Sequence, residues 1–141
     1  SELVCDYVRH NSRPFIFSAS IPPSACATAL AALRYIEAHP ELPERLLARS
    51  SYARKGLKER GLHIRESLTP IIPIYTYQAE NTLRKAKELY EAGVYVNPVL
   101  PPATEPTECL LRTSYMATHT EALLDEAMDI IKAVLGAGAQ N

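Results

Sequence analysis

The sequence predicts a small α+β layer in which helices pack on one face of a mostly antiparallel sheet. Three observations predict it. From residue 60 onward the element signals follow the order β, α, β, β, α. The strand segments "PIIPIYTY", "VYVNPV" and "TECLLRTSYM" are short and rich in β-branched and aromatic residues, while the stretches between and after them carry apolar residues at helical spacing. Residues 108–116 alternate, with Cys109, Leu111, Thr113 and Tyr115 on one face and Leu110, Arg112, Ser114 and Met116 on the other.

The elements follow in order. Leu3, Val4, Tyr7 and Val8 recur at helical spacing, and "SRP" at 12–14 breaks the pattern before the short strand "FIF". A second helix starts at Pro22 and Pro23, where a missing N–H costs nothing, and Pro40 stops it; its alanine-rich face implies close packing. A third helix, roughly 41–60, is expected to turn Leu42, Leu46, Leu47 and Leu57 inward and to end on Gly61, although Ser50, Ser51 and Gly56 weaken it. Pro70 and Pro73 in the next segment argue for an edge strand or one entered from a bulge. "AENTLRKAKELYEAG" is a helix with Leu83, Ala86, Leu89 and Tyr90 inward and Gly93 as its stop, followed by the short strand that Pro98 ends. The proline-rich "LPPATEPTE" must be a stiff, exposed loop before the alternating strand. Thr118 and Glu121 read as a capping box for a last helix with the stripe Leu124, Ala127, Met128, Ile131, Val134 and Leu135.

Composition excludes several classes. A net charge of −1 gives no electrostatic reason to expect nucleic acid or an anionic membrane as partner. No apolar run approaches the ~20 residues that a bilayer span needs. Cys5, Cys26 and Cys109 lie far apart without ligand spacing, so neither a disulfide framework nor a metal site is expected, and a reducing cytoplasm fits best. The chain opens at Ser1 within an amphipathic stretch and without an initiator Met, which suggests a piece of a longer polypeptide.

The sequence holds no Gly-rich phosphate loop, no HExxH and no GxSxG. His10, His39, His63 and His119 are scattered; His39 reads as a helix end and His119 as a local hydrogen-bonder in a turn. Ser18 and Ser20 flank the end of a strand before a helix start, where hydroxyls and free N–H groups either hold an anion or cap the helix. Arg112 joins an otherwise apolar strand face. Two readings account for it: an internal salt bridge or a side chain snorkelling at the sheet's rim, and a bidentate clamp for a ligand carboxylate.

The stretches "SRPFIFSASIPP", "TPIIPI", "GVYVNPVLPPAT" and "LLRTSYMATHTEALLDEA" occur in the order seen at the C-terminal end of the α-oxoamine synthases, which the chain resembles over nearly its whole length. The resemblance implies the C-terminal small domain of a pyridoxal-phosphate enzyme of fold type I, the aspartate-aminotransferase fold. Residues 1–20 would then end the upstream large domain, 21–60 connect, and 61–141 form the α+β small domain. Such enzymes condense an amino acid with an acyl-CoA, releasing carbon dioxide and CoA, in sphingolipid or biotin biosynthesis. "VNPV" and "MATHT" lean toward serine palmitoyltransferase-like members. The alternatives are 8-amino-7-oxononanoate synthase, glycine C-acetyltransferase, and a free-standing α+β small-ligand-binding module.

Carried over by residue, Arg112 matches the family's carboxylate-gripping arginine, and Ser18 the hydroxyl residue that reaches the cofactor phosphate of the neighbouring subunit, which implies a homodimer with shared sites. Pro101, Pro102, Ala103 and Thr104 match the loop bordering the substrate site. The pattern departs at Leu100, where several members place an arginine, and at "EPTE", which replaces a Gly-containing stretch. The family's Schiff-base lysine would lie upstream of Ser1, so this chain alone is expected to be inactive, to contribute no catalytic residue and to hold no covalently bound cofactor.

Overall fold

The structure, a computed structural model, describes residues 1–14 and 21–136. The predicted strand "FIF" and Ser18 and Ser20 lie outside the described residues. The fold divides into two compact units, one up to His39 and one from Pro40 on.

The first unit holds helices α1 (Glu2–Asn11) and α2 (Pro23–Ala38). Pro22 and Pro23 open α2 as expected, and His39 closes it at φ −130° and ψ 66°, outside the helical region that Pro40 disfavours for its predecessor. Close packing of the alanine-rich face is not found: no residue of α2 is buried, and Leu30, Leu33 and Ile36 are all exposed. Small side chains permit close approach, but they do not supply the surface that would approach.

The second unit comprises α3 (Glu41–Glu59), β1 (Ile71–Tyr77), α4 (Ala79–Glu91), β2 (Asn97–Val99), β3 (Cys109–Ser114) and α5 (Glu121–Gly136). The strands form one antiparallel sheet in the order β1-β3-β2. Helix α3, grouped with the connecting helices in the sequence reading, packs here against α5 and β1, and α4 lies across all three strands. The helices cover one sheet face, and the core between consists of Leu57 and Ala53 from α3, Ile72 and Ile74 from β1, Leu89 from α4, Leu111 from β3, and Leu124, Met128 and Ile131 from α5. No described helix is long and apolar enough to cross a membrane.

Local chemistry sets most of the boundaries. Gly61 (φ +75°) closes α3: its N–H donates to the Lys58 carbonyl while that of Leu62 reaches back to Leu57. Gly93 (φ +91°) closes α4 identically, through Tyr90 and Leu89. Both turns need the left-handed conformation that glycine adopts without strain. β1 is an edge strand with a register shift between Tyr75 and Tyr77, as its prolines predict. The backbone of Pro73 faces away from β3, its carbonyl accepting from the Arg65 N–H at 2.9 Å, so its missing N–H removes no ladder bond.

Three details differ from the sequence reading. In α3 the buried residues are Ser50, Ala53, Gly56 and Leu57, whereas Leu47 is exposed and Leu42 and Leu46 are half-buried. A side chain at Gly56 would meet Met128 Sδ and Cε at 2.6 Å, so the small residues that weaken the helix are what let α5 approach it. In α4 the inward face is Thr82, Lys85 and Leu89, leaving Leu83 52% and Tyr90 68% exposed. The cap of α5 is Thr120, whose Oγ1 accepts from the Leu123 N–H at 3.3 Å and whose carbonyl accepts from Leu124. The Thr118/Glu121 box does not form, because the helix begins two residues later than that pairing requires.

Candidate functional site

Arg112 occupies the middle of β3, the central strand, directly opposite Pro73 of β1 and Asn97 of β2. The predicted alternation holds for the helix side, where Leu111 and Thr113 are buried, but Arg112 is not in a buried apolar environment. It lies with Ser114 on the sheet face that the helices leave uncovered, and both are exposed. Leu110 is buried on that face, opposite Tyr75 and Val99, so the guanidinium rises beside a small apolar floor. Among the described residues Arg112 has no hydrogen-bond or ion-pair partner, unlike Arg49, Arg60 and Arg84, which pair with Glu121, Asp129 and Glu88. Exposure, not an internal carboxylate, is what makes the charge tolerable. Five N–H donors are thereby left for an anion from outside the chain.

The antiparallel register places the proline loop relative to this arginine. Asn97 faces Arg112 and Val99 faces Leu110, so the chain leaves the sheet at Leu100, roughly 10 Å along the strand at about 3.3 Å per residue. Pro101, Pro102 and Ala103 are exposed there, and Thr104 is half-buried. The Thr104 Oγ1 is fully covered yet has no hydrogen-bond partner among the described residues. The structure thus brings Arg112 together with Pro73 and Asn97, and sets the loop at one end of the same strand pair. Ser18 lies outside the described residues. Pro73 and Asn97 were missed as site neighbours because only strand register makes them so; their signal was the prolines and the "VNPV" stretch.

The other polar groups near β3 are structural. The Thr113 hydroxyl donates to the Ile72 carbonyl at 2.7 Å, with the Tyr115 phenol 3.1 Å away. Burial pushes the Tyr115 phenol above its ordinary value. His119 accepts from the Met116 N–H at 3.3 Å, which is the local turn role its position predicts. Tyr115 and His119 line an apolar cleft of about 200 Å³ between α5 and the Gly93–Val96 segment. The described residues offer no lysine near Arg112: all five lysines lie on helices α3, α4 and α5. The described groups around Arg112 therefore present an incoming anion with a fork of unengaged N–H donors.

Comparison with known proteins gives this arrangement its context. The aminotransferase class I and II family matches residues 1–131. A serine palmitoyltransferase of Bacteroides ovatus is 42% identical over 131 residues, covering 92% of this chain and 33% of the relative. An 8-amino-7-oxononanoate synthase of Citrifermentans bemidjiense is 37% identical over 136 residues, covering 95% of this chain and 35% of the relative. The chain therefore spans about one third of the length of the curated relatives it matches. Among solved structures, the serine palmitoyltransferase of S. paucimobilis carrying a PLP–myriocin aldimine superimposes with a TM-score of 0.76 at 33% identity, over 94% of this chain and 34% of that one. That likeness makes the α+β unit part of a PLP fold-type I architecture. With the match running through both the sheet that carries Arg112 and the helices that back it, the chain belongs to the aminotransferase class I and II family.

Proposed function

We propose that the chain is the C-terminal part of a pyridoxal-phosphate-dependent α-oxoamine synthase, serine palmitoyltransferase-like, and that Arg112 grips the carboxylate of its amino-acid substrate. The observation that carries this reading is the unpartnered guanidinium on the open face of the sheet, opposite Asn97 and Pro73. A planar fork of donors fits two carboxylate oxygens at once, and such a contact fixes the orientation of the amino acid's α-carbon as well as its position. The central place of β3 between two antiparallel neighbours holds the root of that side chain rigidly. The exposed residues Pro101, Pro102 and Ala103, with the half-buried Thr104 behind them, border the substrate. Ser18 contributes to the phosphate site of a partner subunit in a homodimer. The cofactor, when bound, supplies the electron sink for a carbanion at the amino acid's α-carbon, which acylation by an acyl-CoA consumes.

The relatives' names favour L-serine as the amino acid over the substrate of the 8-amino-7-oxononanoate synthases, since the serine palmitoyltransferases show the higher identities. The test is made on the protein expressed from the complete reading frame that encodes this chain. Titration with L-serine, followed by cofactor absorbance, gives the dissociation constant. Losing a charge-assisted bidentate contact worth about 1.5–3 kcal/mol raises it roughly 10- to 150-fold in Arg112→Ala, while the cofactor stays bound. An unchanged dissociation constant in the variant would overturn the assignment.

A further inference from the structure

A second polar cleft lies at the other end of β1, with a volume of about 300 Å³, near the small end of the range for ligand pockets. Its lining contains His63, Tyr75, Tyr77, Lys85 and Lys132 and no carboxylate. The Lys85 ammonium is already committed, to Glu88 Oε2 at 2.9 Å and to the Val134 carbonyl at 2.6 Å. Lys132 is not: among the described residues it has no hydrogen-bond or ion-pair partner. Its side chain runs between two glycines, within 4 Å of where a Cβ would stand on either Gly61 or Gly136. A free cation is thus held at the mouth of a cleft that offers it no internal anion.

The rings beside it are unusual in a different way. Tyr77 is the one non-glycine among the described residues with positive φ, at +67°, a conformation that costs an L side chain energy. Despite that strain the ring is held in place. Its hydroxyl hydrogen-bonds His63 Nδ1, and its plane stacks on Tyr75 at 5.7 Å with 14° between planes. His63 packs 5.0 Å from Tyr75 and completes a three-ring cluster. Tyr77 remains 45% exposed, so part of the ring is open to a ligand.

We propose that this cleft binds a small ligand combining a planar ring with a phosphate group, the ring lying against Tyr77 and the phosphate meeting Lys132. The site is independent of Arg112, which sits elsewhere on the sheet. Stacking on an aromatic face and pairing with an unpartnered ammonium are additive contacts, so a ligand with both parts binds better than either part alone. The test uses adenosine 5′-monophosphate, inorganic phosphate and adenosine as probes, with binding to the protein expressed from the complete reading frame measured by calorimetry. The expected result is a dissociation constant for the monophosphate at least tenfold below those of phosphate and adenosine.

Lys132→Ala, on an exposed side chain, should weaken the monophosphate at least tenfold and leave adenosine unchanged. Tyr77→Gly suits the local φ and so spares the backbone; it should bring the monophosphate to the level of phosphate. Arg112→Ala should alter none of these values. No binding of the monophosphate, binding no tighter than phosphate, or unchanged binding in Lys132→Ala would each overturn the proposal.

Discussion

Removing Glu88 should destabilise the second unit more than removing its partner Lys85, although the two form one ion pair. Lys85 is 3% exposed, and its ammonium donates to Glu88 Oε2 at 2.9 Å and to the Val134 carbonyl at 2.6 Å near the end of α5. Glu88 keeps 37% of its side chain in solvent and also meets Arg84 at 3.2 Å. Glu88→Ala leaves a buried cation with only a carbonyl for a partner, a loss of about 1.5–3 kcal/mol. Lys85→Met keeps the chain length and the packing, frees Glu88 to water and Arg84, and forfeits mainly the Val134 contact, at about 1 kcal/mol. The few tenths of a kcal/mol that alanine gains from helix propensity do not reverse the order.

Urea unfolding followed by tyrosine near-ultraviolet circular dichroism measures this unit, since six of the eight tyrosines lie in it. With about 1.5 kcal/mol per molar of urea, a loss of ~2 kcal/mol lowers the midpoint by about 1.3 M. The pH dependence has a definite sign. The Lys85 hydrogen bond holds the Glu88 carboxyl below its ordinary value of 4.5, so the stability it supplies is present above that value and lost as pH falls through the lower, folded-state one. The gap between wild type and Glu88→Ala should therefore close in acid. A Lys85→Met variant as damaged as Glu88→Ala at neutral pH would refute the reasoning, because burial of the ammonium would then not be what makes the pair matter.

Two further outcomes test the local geometry. Thr120→Ala should cost about 1 kcal/mol by urea unfolding while Thr118→Ala costs less than about 0.5, since only Thr120 accepts from a first-turn N–H of α5. Gly61→Ala should cost about 1–2 kcal/mol from backbone strain alone, because the nearest atom to an added methyl is the Lys132 ammonium at 3.8 Å and the penalty comes from φ +75°. A cost near zero at Gly61 would mean the turn rearranges.

The sequence by itself determined where α2 begins and where α2, α3 and α4 end. Pro23 and Pro40, Gly61 and Gly93 act through their own φ angles and missing N–H groups, which need no distant partner to operate. It also determined the alternation along β3 and, through an ordered set of stretches, the kinship that the family match bears out. Tertiary structure decided which side of each element is covered. Lys85 turns inward and Leu83 outward in α4 because Glu88 and the Val134 carbonyl lie where an ammonium can reach them. Ser50 and Gly56, discouraging for a helix in isolation, form the seam where Met128 of α5 fits. The same holds for Arg112: alternation assigned it a face, but only the placement of α3, α4 and α5 on the opposite side left that face open. Propensity and backbone geometry act between chain neighbours, whereas burial depends on what residues far along the chain bring to a surface, and no local pattern carries that information.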